Sequence, residues 1–201
     1  LKPLSLDLFL KSIKYFQDKD YQIVFAGRES CPKIFLDNDV IDYANSKCAS
    51  PLNDFLLIGH SSLVISSASG FCFLPESLEK PLLIINAHHI SQHFGRRTIY
   101  LPTLLSRRSE EFSASIQQEY LCTNGADCGY DTFDDLYIFH IPTSEEIFMA
   151  VKELEGMLSD QIPLFTSLQK KIRESRGHHL LSDGLSRISD YYLSEHNNFF
   201  K

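Results

Sequence analysis

Tryptophan is missing from this chain, and methionine is nearly so, with 2 in 201 residues. No apolar run approaches the roughly 18 residues that a membrane-spanning helix requires. No signal-peptide pattern precedes the amphipathic N-terminal segment. Basic charge is short: 19 Lys and Arg stand against 26 Asp and Glu, a formal net charge of -7. An acidic chain repels a polyanion, so extended nucleic acid is not an expected partner, although a local basic pocket for one small phosphate is compatible with that charge. Cysteines are few and scattered, at Cys31, Cys48, Cys72, Cys122 and Cys128. Their odd number and the lack of a C-x-x-C pair point to free thiols in a reducing cytosol. Cys122 and Cys128 could close a loop disulfide or hold a metal, but no second ligand pair supports zinc.

Several motifs are also missing. There is no G-x-x-x-x-G-K-[ST] phosphate loop and no G-x-G-x-x-G dinucleotide fingerprint. A serine-hydrolase elbow needs Gly two residues before the nucleophile; here Ser67 precedes Ser69 and Gly70 follows it, so the pattern fails. His60, His88, His89 and His93 raise a metal question, since His89 and His93 would share a helix face. No H-E-x-x-H or carboxylate pattern accompanies them, so loop or partly buried histidines are expected there, and a solvated segment at His178 and His179.

What is present reads as a soluble globular protein, 43% hydrophobic and 22% charged, of one or at most two domains. The chain begins at Leu1 rather than Met, so a longer parent is expected. Ser5 to Lys19 has apolar residues at helical spacing, and a strand is expected from Gln22 to Ala26. Lys33 to Leu36 is a short apolar run, and Val40-Ile41 leads into Asp42-Tyr43. Ser50-Pro51 opens a helix to His60, with Pro in the first turn. A strand from Leu63 to Ser66, a small-residue turn, a short helix near Phe73 to Leu78 and a strand from Pro81 to Ile85 follow. This alternation predicts a parallel sheet with covering helices.

Beyond Asn86 the pattern loosens. Thr98 to Leu101 reads as extended, Ser106 to Ser115 as a charged helix start, and Thr123 to Asp135 as an acidic surface loop. Leu136 to Ile141 reads as a strand. Thr143 and Glu146 form a capping-box pattern, starting a helix to about Leu158 with Ile147, Val151, Leu154 and Leu158 on its core face. Helices are expected near Pro163 to Ser175 and Leu185 to Ser194. The expected class is therefore α/β: a Rossmann-like sheet domain over 1–160 and a C-terminal helical extension over 161–201.

Four strand ends carry polar or flexible residues: Gly27-Arg28, Asp42-Tyr43, Ser66 to Gly70, and Asn86 to His89. Carboxyl ends of parallel strands gather at one rim, where ligands bind. Gly27 permits close approach, and the Arg28 guanidinium can grip a phosphate in bidentate fashion; the alternative is a surface turn with a solvated Arg. Asp42 can accept from a ribose hydroxyl or a base N–H, and Tyr43 can stack on a base. The alternative is an Asp that caps the sheet edge and a half-buried Tyr. Ser66, Ser67, Ser69 and Gly70 could give hydroxyl and backbone hydrogens to a diphosphate; the alternative is an ordinary tight turn with Ser as a helix cap.

The order Gly27-Arg28, Ile41-Asp-Tyr-Ala44, Asn53-Asp54, Ser66-Ser-Ala-Ser-Gly70 and Lys80-Pro-x-x-x-x-Asn86 resembles the nucleotide-binding half of bacterial GT-B glycosyltransferases. It is most similar to those of surface-polysaccharide gene clusters. Ser144-Glu-Glu-Ile147, Glu153 and Gly184-Leu-Ser-Arg-Ile188 are similar to that group's tail. The layout is also similar to the C-terminal domain of heptosyltransferase-like enzymes. The resemblance implies a cytoplasmic enzyme, on occasion peripheral to the inner membrane. It would transfer sugar from a nucleotide-sugar donor to a glycan acceptor, without a metal or other cofactor. Gly27, Arg28, Asp42, Tyr43, Ser66, Ser67, Ser69, Gly70 and Asn86 would bind the donor. An N-terminal domain of the same parent would supply the acceptor side. A catalytically inactive interaction domain and a nucleotide-sugar epimerase are the alternative functions.

Overall fold

The computed structural model describes residues 5–27, 31–87, 95–107, 137–159, 161–175 and 185–197. A 3-10 turn, Leu6–Phe9, leads into α1, Leu10–Gln17. Strand β1, Val24–Phe25, is followed by the one-turn helix α2, Lys33–Leu36, and by β2, Ile41–Asp42. Then come α3, Pro51–His60, and β3, Val64–Ser67. A 3-10 turn, Gly70–Cys72, continues into α4, Phe73–Ser77, and β4, Leu82–Ala87, follows. β5 is Thr98–Pro102 and β6 is Leu104–Arg107. β7, Tyr137–His140, precedes α5, Ser144–Glu155. The last elements are α6, Ser167–Ser175, β8, Arg187–Ile188, and α7, Asp190–Glu195.

Four strands form a parallel sheet in the order β3-β4-β5-β8. The chain is thus α/β, a parallel sheet flanked by helices. Its centre is β4, where Leu82, Leu83, Ile84 and Ile85 have no exposed surface. A strand covered on both faces needs a continuous apolar run rather than alternation, and Leu82 to Ile85 supplies one. Each such side chain gains roughly 1.5–3 kcal/mol from burial.

Helix α5 covers this core. Thr143 is its N-cap, and Glu146 closes the capping box by accepting from the Thr143 backbone N–H at 2.6 Å and from its hydroxyl at 2.9 Å. Ile147, Ala150, Val151 and Leu154 are fully buried, a spacing that keeps them on one helical face. Leu158, expected on that face, lies just past the helix and is partly buried. Helix α1 is fastened to α5 by Tyr15, whose hydroxyl donates to Glu155 at 2.6 Å, and by Lys19, whose ammonium also donates to Glu155 at 2.6 Å.

Three expectations change. The segment Leu185 to Ser194, read as helix, begins with the strand β8; Ser189 then caps α7, accepting from the Tyr192 N–H at 3.4 Å. Two residues are too short for any periodicity to register. β8 lies within 161–201, pairs with β5, and has its Ile188 carbonyl covered by the Gln169 side-chain amide at 2.9 Å. Ser106 and Arg107, read as a helix start, lie in β6, which pairs antiparallel with β7. Its partner lies some thirty residues away in sequence, so local pattern gave no sign of it. The strand expected over Gln22 to Ala26 does not join the main sheet: among the described residues β1 pairs in parallel with β2 alone, as a separate two-stranded sheet, and the apolar run Lys33–Leu36 between them is helical. Thr123 to Asp135 lies outside the described residues.

Candidate functional site at the carboxyl rim of the sheet

The sequence-predicted site residues fall into two groups. Ser66 to Gly70 and Asn86 sit side by side, because Ser67 pairs with Ile85 and the Ala68 N–H continues the ladder to the Ile85 carbonyl at 3.0 Å. Gly27 and Asp42-Tyr43 lie together at the end of the β1-β2 pair, where Phe25 pairs with Asp42 and the Ala44 N–H reaches the Phe25 carbonyl at 3.2 Å. The two groups belong to separate hydrogen-bonded sheets. Arg28, His88, His89 and His93 lie outside the described residues, as do Cys122, Cys128, His178 and His179.

The first group is built by the turn after β3. Ser66 commits its hydroxyl to the Ser67 carbonyl at 3.0 Å, and the buried Cys72 thiol donates to the same oxygen at 3.3 Å. These bonds fix the turn from beneath. Above it, Ser67, Ala68, Ser69 and Gly70 are all exposed. The Ser69 side chain makes no cap bond to the following 3-10 turn. A Cβ placed on Gly70 would meet nothing within 4 Å. The turn therefore offers two serine hydroxyls and an unobstructed stretch of backbone to whatever lies over the rim.

Asn86 closes the neighbouring strand in a different way. Its φ is 56°, in the left-handed region where Asn is among the few residues tolerated. The register with β5 shifts there: Ile85 pairs with Leu101, and Ala87 with Pro102. Asn86 is thus the extra residue of a β-bulge, a device that re-aims a side chain at a sheet edge. It is 8% exposed, and its amide oxygen accepts from the Thr103 hydroxyl at 3.3 Å. A left-handed, bulged and buried polar residue at a carboxyl strand end is the kind of local strain that gathers at functional sites.

In the second group the side chains are engaged within their own loop. Asp42 accepts from the Asn45 N–H at 3.1 Å and from its side-chain amide at 2.8 Å. Tyr43 is half-buried, and its hydroxyl donates to Asp54 at 2.7 Å. Burial, reinforced by that bond, pushes the Tyr43 phenol above its ordinary value. Ser50 caps α3 by accepting from the Asn53 N–H at 3.2 Å, and the Asn53 amide donates to the Cys48 carbonyl at 2.7 Å. The Asn53-Asp54 pair therefore organises the loop that carries Tyr43. Gly27 has open space where a Cβ would be.

Other residues reach the same rim without a sequence motif to mark them. Thr103 follows directly on β5, and the strand-end rule would have found it had Pro102-Thr103 been included. Tyr192 is buried and its hydroxyl donates to the Pro102 carbonyl at 2.8 Å. Burial, and then the charge of Glu146, push its phenol far upward, so it stays neutral. Glu146 reaches beyond its own cap to His196, at 2.6 Å from Oε1 to Nε2. Burial alone would raise the Glu146 carboxyl; the bonds from His196 and Thr143 outweigh it and hold the group below the ordinary carboxylate range.

A cleft of about 440 Å³ lined by Glu76, Glu79, Lys80, Arg96 and Thr98 lies at the amino ends of β4 and β5, the edge opposite the carboxyl rim. Among the described residues, no three His, Cys, Asp or Glu side chains gather as a metal site, and no helix is long and apolar enough to cross a membrane. In comparisons with known proteins, no family model matches the chain, and no curated protein or solved structure matches it either.

Proposed function

We propose that this chain is the donor-binding half of a GT-B glycosyltransferase, with a Rossmann-like sheet whose carboxyl rim holds a nucleotide sugar. The observation that carries this reading is the pairing of the exposed Ser67 to Gly70 turn with the bulged, left-handed Asn86 on the adjacent strand. Ser67, Ser69 and the Gly70 backbone would donate to the diphosphate, and Asn86 would address its sugar side. Gly27 leaves room for the diphosphate, and Arg28 would offset its charge, which also helps the leaving group depart. Asp42 and Tyr43 would meet the base or ribose only by sharing or giving up their loop bonds to Asn45 and Asp54. The glycan acceptor would come from an N-terminal domain of the same parent chain.

Calorimetric titration of wild type and Arg28→Ala with UDP, GDP and the parent nucleosides tests the phosphate role. Arg28→Ala should weaken the diphosphates by tenfold or more, on the order of 1.4 kcal/mol, and the nucleosides hardly at all. Equal losses for both would reject it.

A specific observation favours a second reading, an interaction domain that has lost catalysis. Leu52 is 68% exposed, Phe55 47% and Leu56 45%, all on α3, and a contiguous apolar surface marks a protein contact. Turnover of a nucleotide sugar by the parent protein, abolished by Ser69→Ala or Arg28→Ala, would separate the enzyme from the interaction domain.

A further inference from the structure

Helix α7 lies along α5 and is tied to it at both ends. At its start, Glu153 accepts from the Ser189 hydroxyl at 2.7 Å and from the Asp190 and Tyr191 N–H groups at 3.0 Å each. At its finish, His196 Nε2 meets Glu146 Oε1 at 2.6 Å. Glu146 lies two turns nearer the start of α5 than Glu153, so α7 climbs from mid-sheet toward the carboxyl rim. Its level is fixed by the sheet itself. The Ser189 N–H bonds the Tyr100 carbonyl at 3.1 Å, and one turn later Tyr192 bonds the carbonyl of Pro102, the last residue of β5. The His196 ring rests on the Tyr192 ring at 4.4 Å. The next residue after Pro102 is Thr103, which holds Asn86.

Among the described residues the imidazole is bonded on one side only, by Glu146. Glu146 is 6% exposed, and its other oxygen is occupied by the Thr143 N–H and hydroxyl. An ionised carboxylate accepts and cannot donate, so Nε2 carries the proton of this bond and Nδ1 is left as the free ring position. Among the described residues nothing bonds Nδ1, and the side chain is 31% exposed. Fixing one ring nitrogen against a buried carboxylate is how a histidine is set in a single tautomer and orientation.

We propose that His196 is a sugar-contacting residue of the donor site, with Nδ1 bonding a hydroxyl of the donor's hexose. The inference rests on the donor-site reading above. With strands spaced roughly 4.8 Å apart, β5 lies about 10 Å from the β3 turn. A donor whose diphosphate sits over Ser67 to Gly70 then has its sugar over β4 and β5, on the side where His196 stands. Glu146 acts through His196 as a positioning residue. No local pattern in the sequence announces the pair, whose members are fifty residues apart.

The test compares UDP and GDP with UDP-glucose, UDP-N-acetylglucosamine and GDP-mannose, each titrated into wild type and His196→Gln. His196→Gln is expected to weaken a nucleotide sugar about three- to tenfold, the range of a single net hydrogen bond, while binding of the matching nucleoside diphosphate stays within twofold. Equal losses for both ligands, or none for either, would overturn the sugar contact and leave the donor site standing. No binding of any nucleotide by folded wild type would remove the donor site, and this inference with it. Imidazole nitrogen NMR on the wild type guards against a misfolded variant. The His196 Nδ1 signal should move with a nucleotide sugar and stay in place with the diphosphate alone; a bound nucleotide sugar that leaves it unmoved contradicts the proposal.

Discussion

Replacing Asn86 by Gly and by Ala should reverse the usual order of those two residues in a strand. In an ordinary strand interior, Gly is less stable than Ala by roughly 0.5–1 kcal/mol, because it loses more backbone freedom on folding. At Asn86, φ is 56°, a conformation that costs an ordinary L residue about 1–2 kcal/mol and costs Gly little. Both variants forfeit the Thr103–Asn86 hydrogen bond, a common loss of about 0.5–1.5 kcal/mol. Asn86→Gly should therefore fall about 1 kcal/mol below wild type, and Asn86→Ala about 2 kcal/mol below it. For a chain of this length the gap between the variants corresponds to about 2–4 °C in Tm. Urea and thermal unfolding followed by circular dichroism would resolve it. If Asn86→Ala equals or exceeds Asn86→Gly in stability, the left-handed bulge is not a constraint of the fold, and its value as a site marker is lost.

Glu146 links stability to pH. Its carboxyl titrates below the ordinary range in the folded chain, so its contribution is fully present above about pH 4.3, the unfolded carboxylate value, and is lost as pH falls through the lower folded value. Glu146→Gln should flatten the acid limb of stability against pH; an unchanged limb would contradict the assignment. Glu153 has the opposite sign. Burial pushes its carboxyl up despite its bonds to Tyr191, Ser189 and Asp190, so its contribution falls as pH rises from the unfolded toward the folded value and is constant above that. Carboxyl NMR should find Glu153 titrating above the ordinary range and Glu146 below it. Tyr192→Phe leaves the buried Pro102 carbonyl without its 2.8 Å donor and should cost about 1–3 kcal/mol in urea unfolding; no measurable loss would argue against the anchoring of α7 at the rim.

The parts legible in sequence were those encoded within a few residues. The β3–turn–β4 unit could be read because an apolar strand, a run of small residues and the four-residue apolar stretch Leu82 to Ile85 follow each other directly. The capping box at Thr143 and Glu146 could be read because both partners lie within one turn. Tertiary pairings could not. β8 is two residues long and is made a strand by Tyr100, almost ninety residues earlier. β6 is made a strand by β7, whose first residue lies thirty positions beyond Arg107. At the rim, Asn86 was expected as a strand-end ligand, but its bulge follows from the register of β5, which no spacing encodes. Asp42 and Tyr43 showed the opposite problem: their chemistry pointed outward, while Asn45 and Asp54 occupy their polar atoms within the loop. The Glu146–His196 contact left no trace in sequence, because Glu146 was already accounted for as a cap.

The central claim is that the rim beside Ser67 to Gly70 and Asn86 binds a nucleoside diphosphate. The most direct measurement is calorimetric titration of the folded chain with UDP, GDP, dTDP and ADP. Saturable one-to-one binding of at least one of them is predicted, with a Kd at or below the order of 1 mM, about -4.1 kcal/mol, and with the parent nucleoside clearly weaker. No heat and no shift in Tm with any of the four at millimolar concentration, in a sample shown to be folded, would contradict it.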